Sequence, residues 1–414
     1  METKIIAVVG AGPAGMMAAI KAGELDQNVI LIEKNPQVGK KLLLSGKGRC
    51  NLTNACDLES FISKFSQGGQ FLRNPFSKFF NLDLMKFFEK RGLKLKTERQ
   101  LRVFPLSNRS GTVLEVLKKE LIRTNVKIMF KTQMKDMLLQ DNKIKGLILV
   151  NERVLPCDKL ILATGGISYP FTGSTGEGLD IARRLGHRII ALRPGLVPLE
   201  TRQQYPRLLK GLTLKNIRLK FSDGKRNIIS EIGELLFTEF GISGPLVLTL
   251  SGKIVDWLKE GKNVYADIDL KPALSKEQLD ARLLREFRLN PKKTIKNTLK
   301  NLLPSSLINV FLDIVEIDPG KSVSQITQGE RESLVLLLKG LRLNIIKSRP
   351  IEEAMITQGG VSLKDINPRT MESRLIKGLY FAGEIIDVDA DTGGFNLQAA
   401  FSTGYLAGES AALS

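Results

Sequence analysis

The sequence predicts the α/β fold class from three observations. An apolar run at residues 4–9 is typical of a buried parallel strand, and a Gly-rich loop, a helix and a second strand follow it directly. From about residue 196 the chain turns to short β-like runs and then to polar helical sequence. From about residue 359 it returns to Gly-rich segments, a strand and a final helix. We therefore expect an α/β domain together with inserted β-rich and helical parts.

The composition is that of an ordinary globular protein. The 414 residues are 43% hydrophobic and 25% charged, and a chain of this length usually forms two or three domains. Three cysteines (Cys50, Cys56, Cys157) are too few for a disulfide framework and favour a reducing, cytoplasmic location. No uninterrupted apolar stretch reaches the length of a membrane span, about 18 residues. His187 is the single histidine, which excludes a two-histidine metal site, so we expect a cofactor and no metal.

The net charge of +19 raises the question of an anionic partner. Residues 51–150 carry 19 basic and 9 acidic side chains, and residues 201–300 carry 20 and 11. A basic surface attracts phosphates, so nucleic acid, anionic lipid and nucleotide cofactors are all candidates. The lysines are dispersed, however, and lack the aromatic interleaving of single-strand binders. The charge alone therefore favours a solvated surface and leaves nucleic acid open.

Residues 4–33 predict a dinucleotide-binding βαβ unit. A strand (4–9) is followed by Gly10-Ala11-Gly12-Pro13-Ala14-Gly15, a helix, a second strand (29–32) and Glu33. Gly10 permits the tight turn, Gly12 lets a pyrophosphate approach the backbone and Gly15 lets the helix lie close to the strand. The start of the helix offers free N–H groups to phosphate. Glu33 can accept hydrogen bonds from both ribose hydroxyls and repels a 2′-phosphate, so the pattern predicts FAD or NAD and excludes NADP as the resident dinucleotide.

A second polar cluster follows at residues 39–41 and 45–54. It combines glycines with Lys40, Lys41, Arg49 and amide side chains, and such residues suit a backbone that passes close to a phosphate-bearing ligand. Cys50 and Cys56 lack C-x-x-C spacing, so a redox-active disulfide is disfavoured.

The rest of the chain supplies further elements. Residues 127–156 alternate as in a β-meander, residues 158–166 form a buried strand ending in small residues, and a Gly-rich loop (173–178) opens a helix through Arg184. His187 at the end of this helix is interpreted as a capping or packing residue. Residues 196–269 suggest short strands, 272–319 suggest a helical insert, and β structure resumes after about Leu336. Residues 378–384 form a strand ending in an acid, and a helix starts near Gly394.

Several motifs together resemble one known family. They are Gly10 to Gly15, Gly46-Lys47-Gly48-Arg49-Cys50-Asn51, Ala163-Thr164-Gly165-Gly166, Gly359-Gly360-Val361 and Gly383 through Gln398, in this order. This set resembles the bacterial BaiN-type NAD(P)/FAD-dependent oxidoreductases, also described as aminoacetone-oxidase-like flavoproteins, over nearly the whole chain.

The resemblance implies a glutathione-reductase-like, Rossmann-type FAD-binding domain with an inserted β-barrel-like domain and a small helical insert. The FAD-binding domain would comprise residues 1–192 and 352–414, the β-rich domain 193–270 and 336–351, and the helical insert 271–335.

The resemblance also implies residue roles. The first Gly-rich loop would face the FAD pyrophosphate, Met134 would lie near the adenine, and the segments around Arg49, Glu384 and Gln398 would line the ribityl chain and the flavin. The candidate cofactor-binding residues are Gly10, Gly12, Pro13, Ala14, Gly15, Glu33, Lys34, Lys40, Lys41, Gly48, Arg49, Cys50, Asn51, Met134, Ala163, Thr164, Gly165, Gly383, Glu384, Gly394, Phe395, Asn396, Leu397 and Gln398. Glu239 and Cys50 are the candidate catalytic proton donors. Family members usually have His in place of Glu239, and Ala390 and Phe395 replace a usual Gly and Tyr.

The function expected from these features is that of an FAD-dependent oxidoreductase acting on a small organic molecule. FAD would be bound non-covalently, and NAD(P)H would bind transiently, because no second strand-bounded G-x-G-x-x-G occurs. One alternative is an oxidase or dehydrogenase of an amine or hydroxy acid that uses O₂. The other is an RNA-associated flavoprotein, which the net charge motivates.

Overall fold

The computed structural model describes residues 3–414 and divides into two compact units. The first unit contains the described residues up to Gly195 together with Ile351–Ser414, and the second contains Leu196–Pro350. Each unit has its own hydrophobic core.

The elements follow one another in chain order. The first part of the first unit contains β1 (Ile5–Val9), α1 (Pro13–Gly23), β2 (Asn28–Ile32), α2 (Lys40–Leu44), β3 (Thr53–Asn54), α3 (Leu58–Ile62), β4 (Phe65–Gln67), α4 (Arg73–Lys78), α5 (Asn81–Glu89), β5 (Leu95–Thr97), β6 (Arg102–Pro105), α6 (Ser110–Arg123), β7 (Lys127–Met129), β8 (Met134–Gln140), β9 (Lys143–Leu149), β10 (Val154–Pro156), β11 (Lys159–Leu162), α7 (Glu177–Arg184) and β12 (Ile189–Gly195). The second unit contains β13 (Leu199–Thr201), α8 (Tyr205–Leu208), β14 (Thr213–Ser222), β15 (Asn227–Ile229), β16 (Gly233–Phe237), β17 (Gly241–Ser243), α9 (Pro245–Lys259), β18 (Val264–Asp269), α10 (Lys276–Leu289), α11 (Ile295–Leu299), α12 (Ser305–Ile314), α13 (Gln328–Lys339) and β19 (Leu341–Ser348). The chain then returns to the first unit with β20 (Ile356–Val361), β21 (Leu379–Phe381), β22 (Asp389–Ala390) and α14 (Phe395–Leu413).

The first unit is built on a parallel sheet of strand order β21-β11-β1-β2-β7. Its central strand β1 is buried on both faces, and Val8 lies opposite Leu31 on one side and Ile161 on the other. Because β21 comes from the last part of the chain, the sheet joins both chain ends. The predicted strands at 4–9 and 29–32 are confirmed. The strand predicted at 158–166 extends only over Lys159–Leu162, and the small residues after it lie outside the strand.

Two helices cover the sheet in close mutual contact. A Cβ on Gly404 of α14 would stand 2.2 Å from the backbone oxygen of Ala14 in α1, and one on Gly408 would stand 2.3 Å from that of Ala18. Small residues are therefore required along α14, because they let the two helix backbones approach each other.

The meander predicted at 127–156 is only partly correct. Strands β8, β9 and β10 form an antiparallel sheet, but residues 127–129 form β7, which pairs in parallel with β2 at the edge of the main sheet. Alternating hydrophobicity does not distinguish the two cases, since a short edge strand also exposes every other residue.

The second unit contains a closed barrel of six antiparallel strands. The order is β14-β16-β17-β13-β19-β18, the pairing of β18 with β14 closes the barrel, and β15 extends β14. In β14, Leu214, Ile217, Leu219 and Phe221 are buried, whereas the basic side chains between them are exposed.

Two local expectations for this unit were wrong. Residues 245–259, expected among short strands, form the helix α9, which begins at Pro245 and buries apolar residues at helical spacing. The return to β structure, expected after about Leu336, occurs only at Leu341, because α13 continues to Lys339.

Candidate dinucleotide site

Four of the predicted cofactor-binding segments meet at one edge of the parallel sheet. Strands β1, β2, β11 and β21 end at Val9, Ile32, Leu162 and Phe381. The first Gly-rich loop, Glu33, the Ala163–Gly165 segment and Gly383–Glu384 follow these strand ends directly. Because the carboxyl ends of parallel strands share an edge, these segments lie together at the edge where open α/β sheets have their nucleotide-binding crevice.

The three glycines of the first loop have different surroundings. Gly10 has φ +100°, and a Cβ there would stand 2.5 Å from the Ala163 carbonyl oxygen. A Cβ on Gly15 would stand 1.8 Å from the Gly10 oxygen, so this glycine is needed for the helix to fit. At Gly12 a Cβ would meet nothing within 4 Å. The protein thus leaves open space at the glycine that the motif assigns to pyrophosphate.

The start of α1 is free to bind an anion. Pro13 occupies the first turn, and Gly12 at the N-cap offers no side-chain hydrogen bond. The first N–H groups of a helix have no partner within the helix, and the helix dipole adds positive potential there. No side chain of the cap competes with a phosphate for these groups.

Glu33 is buried beside this loop, with 8% of its surface exposed. Its Oε2 accepts a hydrogen bond from the Ala11 N–H (2.9 Å), and its Oε1 accepts from the backbone and side-chain nitrogens of Asn35 (both 2.8 Å). These bonds fix the carboxylate at the end of β2. A carboxylate has about four lone-pair sites, so acceptor capacity remains for a ribose hydroxyl.

The lysines that follow β2 connect the site to the second Gly-rich loop. Lys34 Nζ donates to Thr175 Oγ1 (2.6 Å) and lies 3.0 Å from Glu177 Oε1. Lys40 Nζ donates to Asn35 Oδ1 (2.7 Å). Both ammonium groups are thus held by protein partners, Lys34 at the second Gly-rich loop and Lys40 at Asn35.

Lys41 and Glu384 form an ion pair between distant parts of the chain. Lys41 Nζ lies 2.6 Å from Glu384 Oε2 and also donates to Ser168 Oγ (2.7 Å). Glu384 Oε1 accepts from the Thr357 N–H (2.7 Å) and from Ser168 Oγ (3.1 Å). The arrangement ties α2, the loop after β11, β20 and the loop after β21 together.

The segment 45–54 is shaped by left-handed backbone. Lys47 and Cys50 have φ near +60°, and Gly46 and Gly48 share this region. Arg49 does not join Lys40 and Lys41. Its guanidinium pairs with Glu98 (2.5 Å) and packs over the ring of Phe104.

Two buried polar atoms in the site lack a hydrogen-bond partner among residues 3–414. They are Asn51 Oδ1 and Thr164 Oγ1. Buried polar groups in folded proteins are nearly always paired, so each of these atoms points to a group that the protein itself does not supply. Both belong to segments predicted to contact the cofactor.

The start of α14 supplies a second helix N-terminus. Its N-cap, Gly394, has φ +99°, and a Cβ there would stand 2.4 Å from the Thr53 oxygen. Gln398 is fully buried and accepts from Thr53 Oγ1 (2.6 Å), while Asn396 accepts from the Ala390 N–H (2.9 Å). Phe395 packs edge-on against Phe61. Because the side chains of Phe395, Asn396 and Gln398 contact the protein itself, the groups available to a ligand at this end of α14 are its first backbone amides. Leu397 is partly exposed next to them.

Met134 begins β8 and is buried at 5% exposure. Nearby, the Thr132 N–H donates to the backbone oxygen of Glu33 (3.1 Å), so the chain entering β8 runs beside the end of β2. This position is compatible with the predicted role near the adenine.

The two residues singled out as proton donors are poorly suited to that role. Burial raises the pKa of Cys50 to about 12, partly offset by a hydrogen bond with Ser45, so the thiol holds its proton tightly. Glu239 lies in the second unit, and its hydrogen bond with Lys210 (2.5 Å) lowers its pKa. An ionised, exposed carboxylate has no proton to donate at neutral pH.

His187 is a packing residue, as predicted. Its ring bonds the Ala182 oxygen (3.1 Å) and Ser373 Oγ (2.7 Å) and packs edge-on against Phe381. Burial lowers its pKa, so the ring is neutral at physiological pH.

A pair of carboxylates between Glu384 and α14, Asp387 and Asp389, was not predicted from the sequence. Asp389 is buried and accepts from Gln358 Nε2 (2.6 Å) and Ser66 Oγ (2.7 Å). The pKa of Asp387 is raised by burial and by the charge of Asp389, and Arg193 opposes the rise. Gln358 Oε1 is a further buried atom without a partner in the described chain. The spacing Asp387-Val388-Asp389 was the only signal in the sequence.

The described residues contain no cluster of His, Cys, Asp and Glu able to hold a metal ion. Across residues 3–414, no helix combines the length and apolarity needed to cross a membrane.

Comparison with known proteins places these features in context. Residues 4–410 match the family model described as HI0933-like protein Rossmann domain. The chain is 32% identical to the 3-dehydro-bile acid delta(4,6)-reductase of Clostridium scindens, covering 98% of each protein. It is 30% identical to the ribosomal RNA dihydrouridine synthase of Haemophilus influenzae, covering 96% of each.

The fold also resembles solved structures. The 3-ketosteroid delta1-dehydrogenase of Sterolibacterium denitrificans superimposes over the full length of both chains with a TM-score of 0.51 at 13% identity. The predicted fold class, a Rossmann-type FAD-binding domain with an inserted β-barrel and helical parts, is thereby confirmed.

Proposed function

Because the chain belongs to the HI0933-like family of Rossmann-domain flavoproteins, we propose that it is an FAD-dependent oxidoreductase that reduces an unsaturated organic substrate with electrons from NAD(P)H. One observation carries the proposal. A Cβ on Gly12 would meet no protein atom within 4 Å. This open space lies at the uncapped start of α1, and the carboxylate of Glu33 is held beside it by a hydrogen bond from the Ala11 N–H. These three features together fit a diphosphate and an adjoining ribose.

The remaining contacts would extend from this point along the crevice. The unpartnered Asn51 Oδ1 and Thr164 Oγ1 would find hydrogen-bond donors on the cofactor. The N-terminus of α14 would direct its positive end at the flavin, which favours negative charge there by on the order of 1 kcal/mol. When bound, FAD would accept a hydride from NAD(P)H and deliver it to the substrate, and the protein would bind, orient and tune it.

The names of the relatives guide the proposed substrate class. A delta(4,6)-reductase and a dihydrouridine synthase both saturate a ring double bond, so we assign the same type of reaction to this chain. RNA, the substrate type in the name of the second relative, is the second candidate substrate. The basic surface supports it. Residues 201–300 carry 20 basic and 11 acidic side chains, and this excess suits a phosphate-bearing substrate.

Saturating a double bond also needs a proton. Asp387 is a better candidate donor than Glu239 or Cys50, because burial and the neighbouring Asp389 keep its carboxyl protonated to a higher pH than usual. It lies between Glu384 and the start of α14, the two segments that we assign to the ribityl chain and the flavin. A carboxyl that titrates closer to neutral pH can both release and regain a proton during turnover.

The replacement Gly12→Ala tests the cofactor assignment. Its methyl group enters space that is open in the protein, so the apoprotein should fold normally while FAD affinity falls at least about tenfold, or about 1.4 kcal/mol. Gly111→Ala is the matched control, since its Cβ also meets nothing within 4 Å but lies in α6. Equal FAD affinity in both variants would refute the assignment.

Anaerobic titration of the yellow holoprotein with NADH and NADPH tests the electron donor. A reductase should lose its flavin absorbance on adding one of them. If only an amine or hydroxy acid bleaches the flavin, the protein is an oxidase or dehydrogenase instead.

A further inference from the structure

The helical part of the second unit carries a concentrated set of cations, which we call the cationic strip. It runs from the last turns of α10 through the turn at 290–293 to the end of α11. Its members are Arg285, Arg288, Lys292, Lys293, Lys296 and Lys300, and Glu286 is the single acid between positions 285 and 300.

None of the six cations forms an ion pair within the described part of the chain. Five are exposed and Lys293 is partly exposed. Glu286 forms no ion pair with them in the described part of the chain, and its carboxylate accepts a hydrogen bond from Asn301 Nδ2 (3.1 Å).

Some other cations of the same unit are paired. Arg226, Arg331, Lys339 and Arg342 each lie 2.6–2.7 Å from an aspartate or glutamate oxygen. Lys215, Arg218 and Lys220 of β14 are exposed and form no ion pair among the described residues either, so what distinguishes the strip is its density of six cations to one acid between positions 285 and 300. A cation without a protein partner can bind an external phosphate without first giving up an internal ion pair.

The local structure holds the strip in a defined shape. The Val323 N–H donates to the Lys293 oxygen (3.0 Å), and the Ile295 N–H donates to the Lys321 oxygen (2.9 Å). Thr294 caps α11. Lys296 and Lys300 are four residues apart, so they project from one face of the turn about 6 Å apart along the axis.

We propose that the cationic strip binds the phosphate backbone of RNA. The inference deepens the proposed function by naming the partner class, and it depends on that function only for the choice of RNA among polyanions. The 30% identical relative from Haemophilus influenzae bears the name of an enzyme that acts on ribosomal RNA.

An anionic membrane fits the strip less well. Peripheral helices bind membranes through an apolar face that enters the lipid. Here the apolar faces of both helices, including Leu283 and Phe287 of α10 and Ile295 of α11, are buried in the core of the unit. Between positions 285 and 300, Leu289 is the single exposed large apolar side chain. One such side chain does not make an inserting face, so the strip suits a flexible polyphosphate chain better than a lipid surface.

The test compares holoprotein variants by fluorescence anisotropy with a labelled single-stranded uridine-rich RNA at several salt concentrations. In the strip variant, Lys292, Lys293, Lys296 and Lys300 are all replaced by Gln. Four lost phosphate contacts should reduce the slope of log K against log salt by about 3, at about 0.7 per contact, and weaken binding at least about tenfold in 0.1 M salt. A second variant, Arg285→Gln with Arg288→Gln, should weaken binding in the same direction.

The control variant removes the same number of positive charges elsewhere. It replaces Lys86, Lys90, Lys118 and Lys119 by Gln. The four lysines are exposed, form no ion pair in the described part of the chain, and lie in α5, directly after α5 and in α6. The control variant should retain most of the RNA affinity. Equal losses in the strip and control variants, or unchanged binding by both strip variants, would overturn the inference.

Two further measurements separate this inference from the proposed function. Flavin content and bleaching by NAD(P)H should be unchanged in the strip variants, because the strip lies outside the unit that carries the cofactor site. They should also be unchanged in the control variant, because its four lysines are exposed and are not among the candidate cofactor-binding residues. A yellow wild-type protein that fails to bind RNA in 0.05 M salt would overturn the inference alone. Strip-dependent binding to phosphatidylglycerol vesicles without RNA binding would overturn it in favour of a membrane.

Discussion

Gly404 in α14 lies directly against the backbone of Ala14 in α1, since a Cβ on Gly404 would stand 2.2 Å from the Ala14 oxygen. Ala14 belongs to the Gly-rich loop and helix that we assign to the pyrophosphate, whereas α14 begins at the proposed flavin end of the crevice. Gly404 therefore sets the spacing between the two helix N-termini that would bind the diphosphate and the flavin of one cofactor.

The replacement Gly404→Ala should disturb this spacing. The added methyl group cannot be accommodated without moving a helix backbone, so we expect the free energy of unfolding to fall by about 1–3 kcal/mol. FAD affinity should fall with it. The same change at Gly111, where the Cβ meets open space, should leave stability unchanged or raise it slightly. Urea denaturation of both variants checks the prediction, and similar midpoints would contradict it.

The fold of the first unit was predictable because its signals are local. The order of strand, Gly-rich loop, helix, strand and acid lies within residues 4–33, and each step follows from short-range geometry. The inserted barrel was harder to predict from local sequence patterns. Its strands are short, and its closure depends on pairing between β14 and β18, which are distant in sequence. The helix α9 was missed because its apolar residues were interpreted as strand positions within a β-rich region.

The site was predictable in its backbone and less so in its side chains. The glycines and Glu33 were found because a motif requires them at fixed spacing. The partners of Arg49 were not foreseeable, since Glu98 and Phe104 approach it only through the pairing of β3 with β6. The pair of Lys41 and Glu384 spans 343 positions, and no local pattern records such a contact.

A double-mutant cycle on Lys41 and Glu384 should reveal their coupling. Their side chains are only 23% and 21% exposed, so Lys41→Met or Glu384→Gln alone leaves a partly buried polar group without its partner. We expect the double variant to recover part of the loss, with a coupling energy of about 1–3 kcal/mol in unfolding experiments.

The exposed pair of Lys210 and Glu239 provides the comparison. Its side chains are 65% and 58% exposed, so its coupling should stay below about 1 kcal/mol. Equal coupling energies for the two pairs would show that burial does not strengthen the Lys41–Glu384 contact.

The replacement Asp387→Asn should stabilise the protein at neutral pH. Burial and the charge of Asp389 raise the pKa of Asp387, so the folded state retains a proton that the unfolded state has released. Above the unfolded pKa, near 3.9, the free energy of unfolding therefore declines with rising pH, by up to about 1.4 kcal/mol per pH unit, until the folded pKa is passed. Asparagine carries no charge and removes this decline.

Asp389→Asn is the matched control, measured by denaturation between pH 3.5 and 7. It disrupts the hydrogen bonds from Gln358 and Ser66, so it should destabilise the protein by about 1–3 kcal/mol. Should Asp387→Asn prove equally destabilising at pH 7, the folded state would not disfavour the ionised carboxyl of Asp387, and the assignment of Asp387 as the proton donor would fail.

His187 should make the folded state sensitive to mild acid. Burial lowers its pKa below the ordinary value of 6.5, so the folded ring stays neutral while the unfolded ring takes up a proton as the pH falls. The unfolded state then binds more protons, and the free energy of unfolding drops by up to about 1.4 kcal/mol per pH unit between 6.5 and the folded pKa. Because His187 is the single histidine, no other imidazole contributes in this range. His187→Gln retains a neutral hydrogen-bonding side chain, so its stability should vary less between pH 5 and 6.5. Parallel stability curves for the wild type and the variant would mean that the imidazole titrates equally in both states.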